Sequence, residues 1–399
     1  MKFRFIVYTI IIGLLYSLSC TKLIEQPVED CNFNEVTAGD AHPYSDLFQE
    51  VLDDFIASGA PGVSVAIYMP EYGWWVGCAG VARIEDQTPM KPCHVFHSAS
   101  VAKPYTATMI MKLVQEGLIG LDDPIENYLP EDMISKIANA DVATIRQLLS
   151  HTSGIYDLTY FAQERVDLIN DPDLKMSVES RFEKYLYGRP AFGPAGECFH
   201  YSNAGMDLLG MIIEEASGES IGDYFQREII ESVGLTHTYY KSSPGYPEIP
   251  NLANGYIEQY PGQMQNWSHV DIALAEASMG HVGVIATPYE FARFYRELIN
   301  GNILDSSTLE KMLKVEWKAE MGPDMCLGIY HRVLQYGGFY MHGGRGYGVR
   351  ANARYYPEHD VALSIQTNVG DIFEQEKNEE RFINMRDRLL DVIFSGPGK

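Results

Sequence analysis

Apolar positions along the chain follow two rhythms. Leu47, Val51, Leu52 and Phe55 recur at helical spacing and stop at the breaker Gly59-Ala60-Pro61-Gly62. Val63, Val65, Ile67 and Met69 then alternate, and after a turn near Glu71–Gly73 so do Trp74, Val76 and Cys78, which predicts an antiparallel hairpin. From Tyr105 to Val114 the pattern is helical again and closes at Glu116-Gly117; Leu121-Asp122-Asp123-Pro124 begins a connecting segment. Thr144 to Leu149 predicts a short helix, Ser150 to Ile155 a turn, and Ala204–Ala216 and Ile221–Ser232 two further helices. Residues 236–270, rich in Tyr, Pro and Gly, read as a long, partly ordered loop. Alternation returns at Val349, Ala351, Ala353 and Tyr355 and at Val361, Leu363 and Ile365, before a last helix with Phe382, Met385, Leu389 and Val392 on one stripe. This order predicts an α+β fold: an antiparallel sheet completed by both ends of the chain, flanked by N- and C-terminal helices, with a helical lobe inserted between its halves.

Composition narrows the class. A hydrophobic content of 46% and 399 residues describe a folded globular chain with an ample core. The formal net charge of −24 argues against nucleic acid as a partner, because phosphate binding needs clustered Lys and Arg. At the N-terminus, Lys2 and Arg4 precede an apolar run from Phe5 to Leu18, too short to span a membrane and typical of a secretory signal. Leu18-Ser19-Cys20 resembles a bacterial lipobox with Cys20 as the lipidated residue, although Ser17 stands where Leu is usual. Ordinary cleavage without lipid is the alternative. The chain thus divides into a signal peptide (1–19), a lipidated N-terminus and polar tether (20–43) and a domain (44–396), which places it in a bacterial cell envelope as a periplasmic or outer-membrane lipoprotein. Cys31, Cys78, Cys93, Cys198 and Cys326 remain, an odd number, so at least one stays free or pairs with another chain. Their spacings match no zinc pattern, and no metal is expected.

Candidate chemistry begins at Ser100-Val101-Ala102-Lys103. Residues three apart share a helix face, so a helix starting near Ser100 points its hydroxyl and the Lys103 amine into one space. Pro104, which has no N–H to give, fits only in or near a first turn and supports that start. A serine hydroxyl needs a neighbour to take its proton, and a desolvated lysine has a lowered pKa. Taken alone the four residues read more readily as a helix cap with a solvated lysine, and Ser-x-x-Lys also occurs at Ser19 to Lys22, where it carries no chemistry. Gly218-Glu219-Ser220-Ile221-Gly222 has the form of a nucleophile elbow, but a helix precedes it where a strand is required, so Ser220 is read as an N-cap.

Two further runs give Ser100 its context. Tyr201-Ser202-Asn203 is a Tyr-x-Asn, and Met341-His342-Gly343-Gly344-Arg345 sits on an expected strand whose glycines let a substrate approach the backbone. With Ser-x-x-Lys, Tyr-x-Asn and His-x-Gly in this order, the sequence resembles the serine hydrolases related to class C β-lactamases and DD-carboxypeptidases. The resemblance extends over roughly residues 44–395 and includes Ala60-Pro61-Gly62-Val63-Ser64-Val65-Ala66, Leu148 to Gly154, Gly193 to Gly196, Val233 to Thr238 and Thr287 to Phe294. It implies a β-lactamase/transpeptidase-like fold, with an α/β lobe of residues 44–98 and 275–396 and a helical lobe of residues 99–274.

The implied mechanism is acyl transfer through an ester on Ser100. Tyr201 is the expected proton acceptor, its pKa lowered by the Lys103 cation, with a neutral Lys103 as the competing assignment. Asn203 would orient the substrate amide, and the backbone N–H groups of Ser100 and Arg345 would form the oxyanion hole. His342 takes the place of the third-motif lysine, with Gly343, Gly344 and Arg345 lining the substrate. His151, in Ser-His-Thr-Ser-Gly, is expected to be a structural turn beside the site. No cofactor is expected. The substrate would be a small molecule or peptide, including D-amino acid-containing peptides and esters; DD-carboxypeptidase, D-amino acid peptidase, esterase and β-lactamase all fit, the last poorly because Gly343 has no side-chain donor. A non-catalytic binding protein or scaffold that retained the fold is the alternative from a different class.

Overall fold

The computed structural model describes residues 42–158, 162–171, 174–260, 262–370 and 376–396. The expected signal segment, Cys20 and the tether up to residue 41 lie outside them.

Among these residues an eight-stranded antiparallel sheet runs in the order Thr88–Pro89, Gly73–Arg83 (β2), Gly62–Met69 (β1), Val361–Thr367, Arg350–Tyr356, Gly337–Arg345, Tyr330–Leu334, Asp324–Met325. The expected hairpin is β1 with β2, and β1 pairs on its other edge with Val361–Thr367, Val65 opposite Ile365. Both ends of the chain therefore complete one sheet.

Helices cover both faces of the sheet. On one side, Val63, Val65, Ile67, Leu363 and Ile365 pack against Phe48, Leu52 and Phe55 of the first helix (α1, Ser45–Ala57) and Phe382, Met385 and Leu389 of the last (Glu376–Ser395). Burial of each such side chain contributes roughly 1.5–3 kcal/mol, so this layer holds the two chain ends together. On the other side the strands offer small residues, Ala66, Ala351, Ala353 and Ala362, to a core that includes Lys103–Gln115 (α2), Asn203–Ser217 and Pro288–Ile299. Because both faces are covered, alternation in β2 marks only one of them: Val76 is buried as expected, but so is Trp75 between the half-buried Trp74 and Cys78. On the last helix, likewise, Leu390 and Ile393 are buried deeper than Val392.

The expected long loop over 236–270 is not one. It contains strands Thr238–Tyr240, Tyr256–Tyr260 and Gln263–Asn266. Each is too short to show a period, and two of the three pair with distant partners, Thr238–Tyr240 with Val284–Ala286 and Tyr256–Tyr260 with Val369–Gly370. Val284–Ala286 also pairs with Phe96–His97, which fixes the approach to Ser100. Ser220 is an N-cap, accepting the Asp223 N–H at 3.1 Å, and the helix it starts changes to a π-helical turn at Gln226–Glu231. Cys93 is disulfide-bonded, whereas Cys78, Cys198 and Cys326 are free. No helix among the described residues is long and apolar enough to cross a membrane.

Candidate active site

Ser100 lies in a 3-10 turn, Ala99–Ala102, that runs directly into α2 at Lys103, with Pro104 in the first turn of the helix. The turn is held from two sides. Ser98 donates its N–H to the Val284 carbonyl at 3.0 Å. The Gly337–Arg345 strand presses on the other side, where an added Cβ on Gly344 would lie 2.5 Å from the Ser98 carbonyl oxygen.

Lys103 is fully buried, and its Nζ donates to Ser100 Oγ at 2.9 Å and to the His281 carbonyl at 3.3 Å. Burial pulls its pKa down to about 7, against the pull of Asp157 and Asp207 and with the help of Arg181. The Tyr201 hydroxyl also donates to Ser100 Oγ at 2.9 Å, and Lys103 Nζ stands 4.8 Å from the centre of the Tyr201 ring. Burial pushes the Tyr201 phenol well above 10. The expectation that Lys103 would lower it is therefore corrected. Loss of hydration disfavours the phenolate, and Tyr330 and Asp157 push in the same direction.

Asn203 opens the Asn203–Ser217 helix, which Ser202 caps by accepting the Gly205 N–H at 3.1 Å. Its backbone N–H donates to Asp157 at 3.0 Å, and its side-chain Oδ1 is buried without a hydrogen-bond partner. His342 is buried on its strand, 2% exposed, and donates from Nδ1 to the Gly343 carbonyl at 2.7 Å, which leaves Nε2 as an unpartnered acceptor. Burial lowers its pKa to about 3, so the ring is neutral at physiological pH. His151 sits beside the site as a turn: its φ is +56°, its carbonyl accepts the His200 N–H at 2.8 Å, and its ring packs 4.4 Å from that of Tyr201.

These side chains meet in a cavity of about 860 Å³, lined by Ser100, Tyr201, Asn203, Tyr330, His342 and Arg345 among others. Ser100, Lys103 and Tyr201 are brought together as the motifs imply, and Asn203 and His342 border the same space. Gly343 stands opposite Asn352 in the sheet register, and the exposed Arg345 side chain pairs with Glu379, which also accepts from Arg350. Sequence reasoning missed Glu379, Asp207, Arg181 and His281. The available signal was charge in the wrong place: Asp207 interrupts the apolar run Ala204–Ala216 and is fully buried there.

The fold and this cluster define a serine hydrolase-type site on an antiparallel sheet. The model of the Beta-lactamase family matches residues 45–383, and the chain belongs to that family. Its superfamily acts on amide and ester bonds by acyl-enzyme chemistry. Penicillin-binding protein 4* of Bacillus subtilis is 28% identical over 243 residues, 58% of this chain and 51% of that protein. The human serine beta-lactamase-like protein LACTB, mitochondrial, is 25% identical over 304 residues, 62% of this chain and 54% of that protein. The chain thus spans about half the length of these curated relatives. Among solved structures, the D-amino acid amidase of Ochrobactrum anthropi SV3 complexed with L-phenylalanine amide superposes with a TM-score of 0.73 at 24% identity, over 88% of this chain and 99% of that one.

Proposed function

We propose that this protein hydrolyses amide or ester bonds of small or peptide substrates through an acyl ester on Ser100. One observation carries the reading: Ser100 Oγ receives hydrogen bonds from Lys103 Nζ and from the Tyr201 hydroxyl, each at 2.9 Å, at the wall of a cavity. A lysine with a pKa of about 7 is substantially a neutral amine near neutrality, so Lys103 takes the Ser100 proton as Oγ attacks the substrate carbonyl. Tyr201 passes its phenolic proton to the leaving group as the neighbouring Lys103 ammonium returns one to it, so that the phenol is neutral before and after the step. The backbone N–H groups of Ser100 and Arg345 hold the oxyanion. Water then attacks the ester, the protons run in reverse, and the acid leaves. Asn203 Oδ1 and His342 Nε2, both unpartnered acceptors, orient substrate N–H groups.

On this reading residues 44–98 and 275–396 form an α/β lobe and residues 99–274 a helical lobe, with the site between them. The fold shared with a D-amino acid amidase makes D-amino acid amides the first substrates to try, and Gly343, with no hydroxyl for a penicillin carboxylate, makes the enzyme a poor β-lactamase. We also place it outside the cytoplasm, held by lipid on Cys20; mass spectrometry of the mature N-terminus finding an unmodified start elsewhere would defeat that part. The chemistry is tested with a fluorophosphonate probe. Label on wild type that maps to Ser100 and disappears in Ser100→Ala is the expected result, and folded wild type that takes no label overturns it.

A further inference from the structure

Beneath Lys103 lies a group of charges that the chemistry above does not use. Asp207 and Arg181 are both fully buried. Asp207 Oδ1 accepts the backbone N–H groups of Met279 at 2.9 Å and Gly280 at 3.0 Å, and the His281 Nδ1–H at 2.8 Å. Its Oδ2 accepts from Arg181 at 3.0 Å, and Arg181 in turn donates to Glu164. A buried carboxylate left without partners costs several kcal/mol. Here burial works against the ionised form, but His281, Arg181 and the Met279 N–H hold the Asp207 carboxyl well below the usual range.

Arg181 answers part of that charge, being shared with Glu164. The three remaining bonds go to the 279–281 segment, and they have a consequence for Lys103. The His281 carbonyl so held is the one that receives the Lys103 amine, at 3.3 Å. Deepening the reading of Lys103 as the base, we propose that Asp207, with Arg181 and His281, is a positioning residue for Lys103: it fixes the His281 carbonyl, and its buried charge, offset by that of Arg181, acts on the Lys103 ammonium.

Other groups also face Lys103. Asp157 favours the lysine cation as Asp207 does, and its carboxylate accepts the Asn203 N–H at 3.0 Å. Tyr201 is protonated, and burial lowers the pKa of His151, His281 and His342.

The test is the pH dependence of Ser100 labelling by the fluorophosphonate, which reads the free base directly. Asp207→Asn keeps the shape and removes the charge that favours the cation. Its acid limb should move down by half a pH unit or more, so labelling one unit below the wild-type limb rises about threefold. Arg181→Gln removes the opposing charge, and its limb should move up. A purely structural role would slow both variants and leave both limbs where they are, and that result overturns the proposal. If Asp207→Asn does not fold, Glu164→Gln, which relieves Arg181 of one carboxylate, gives the same test with the limb again expected lower; an unmoved limb there is equally fatal. Failure of the underlying reading looks different, because wild type itself would then take no label.

Discussion

Gly344 and Ser98 touch where no side chain fits: an added Cβ would lie 2.5 Å from the Ser98 carbonyl oxygen and 3.0 Å from the Ala99 side chain. Ala99 itself has a φ of +44°, a left-handed conformation that a residue with a Cβ adopts at some cost. The turn carrying Ser100 is thus wedged between its own strain and the neighbouring strand. In Gly344→Ala the backbone carbonyl has to move, and Ser100 moves with it. Since a displacement of about 1 Å can cost 10²-fold, labelling of Ser100 should fall by at least ~10² while the protein remains folded. Labelling within about threefold of wild type would show that the contact is slack.

Tyr201→Phe deletes one of the two donors to Ser100 Oγ and leaves the ring that covers Lys103 in place. Loss of a positioned proton donor should lower kcat by ~10²–10⁴ with KM little changed. Near-normal kcat would remove Tyr201 from the proton path.

Activity should rise with pH through a single limb near 7. Burial lowers Lys103 from its ordinary 10.5 to about 7, the deprotonated amine is the base, and the rate therefore climbs as pH passes 7 and levels above it. Tyr201, held well above 10, adds no second limb below that value. The check is kcat/KM measured from about pH 5 to 9; a rate still climbing tenfold per unit at the top of that range would mean that Lys103 stays charged.

Asp271 should make stability fall toward neutral pH. The carboxylate is buried and accepts the N–H groups of Tyr347 at 3.1 Å and Gly348 at 2.9 Å, in the loop that follows Arg345. Burial raises its pKa from 3.8 to about 7, against those two hydrogen bonds. A raised folded-state value means that its stabilising contribution is complete below the unfolded pKa and is lost as pH rises through about 7. Urea unfolding between about pH 4 and 7 should show a slope of up to ~1.4 kcal/mol per unit from this group, absent in Asp271→Asn. Equal slopes in the two proteins would count against it.

The sheet and the three motifs were legible because each rests on a local signal. Alternation at Val63 to Met69 and at Val361 to Ile365 reports strands with one strongly apolar face, and the Ser100–Lys103 spacing reports a helix start. What escaped depends on distant partners. Thr238–Tyr240 is a strand only because Val284–Ala286 lies beside it, and three residues carry no period. The Tyr201 pKa was misjudged because a sequence names the neighbouring cation but not the desolvation that outweighs it. Asp207 is the instructive case. Its place in an apolar helix could have marked it, but its link to Lys103 runs through His281, 74 residues away along the chain.

Substrate selection turns on Arg345 and Glu379. Gly343 offers no donor to a substrate carboxylate, and Arg345, two residues along the strand, is the nearest replacement by sequence. Its guanidinium is instead engaged by Glu379, which also accepts from Arg350 and lines the same cavity as Ser100. Arg345 is exposed, so the pair itself contributes about 0–1 kcal/mol and is not what holds the fold. Its effect is on the substrate: Glu379 already occupies the Arg345 donors that a substrate carboxylate would need. Wild type should therefore show at most a weak preference, under ~100-fold, for a peptide ending in a free D-amino acid over its C-terminal amide. Glu379→Gln releases the guanidinium. A hydrogen bond to a charged group contributes roughly 1.5–3 kcal/mol, so kcat/KM for the free acid relative to the amide should rise about 10- to 150-fold. Adding Arg345→Ala to that variant should remove the gain. If the ratio is the same in wild type and Glu379→Gln, or if the gain survives loss of Arg345, the carboxylate is bound elsewhere and this account of selectivity is wrong.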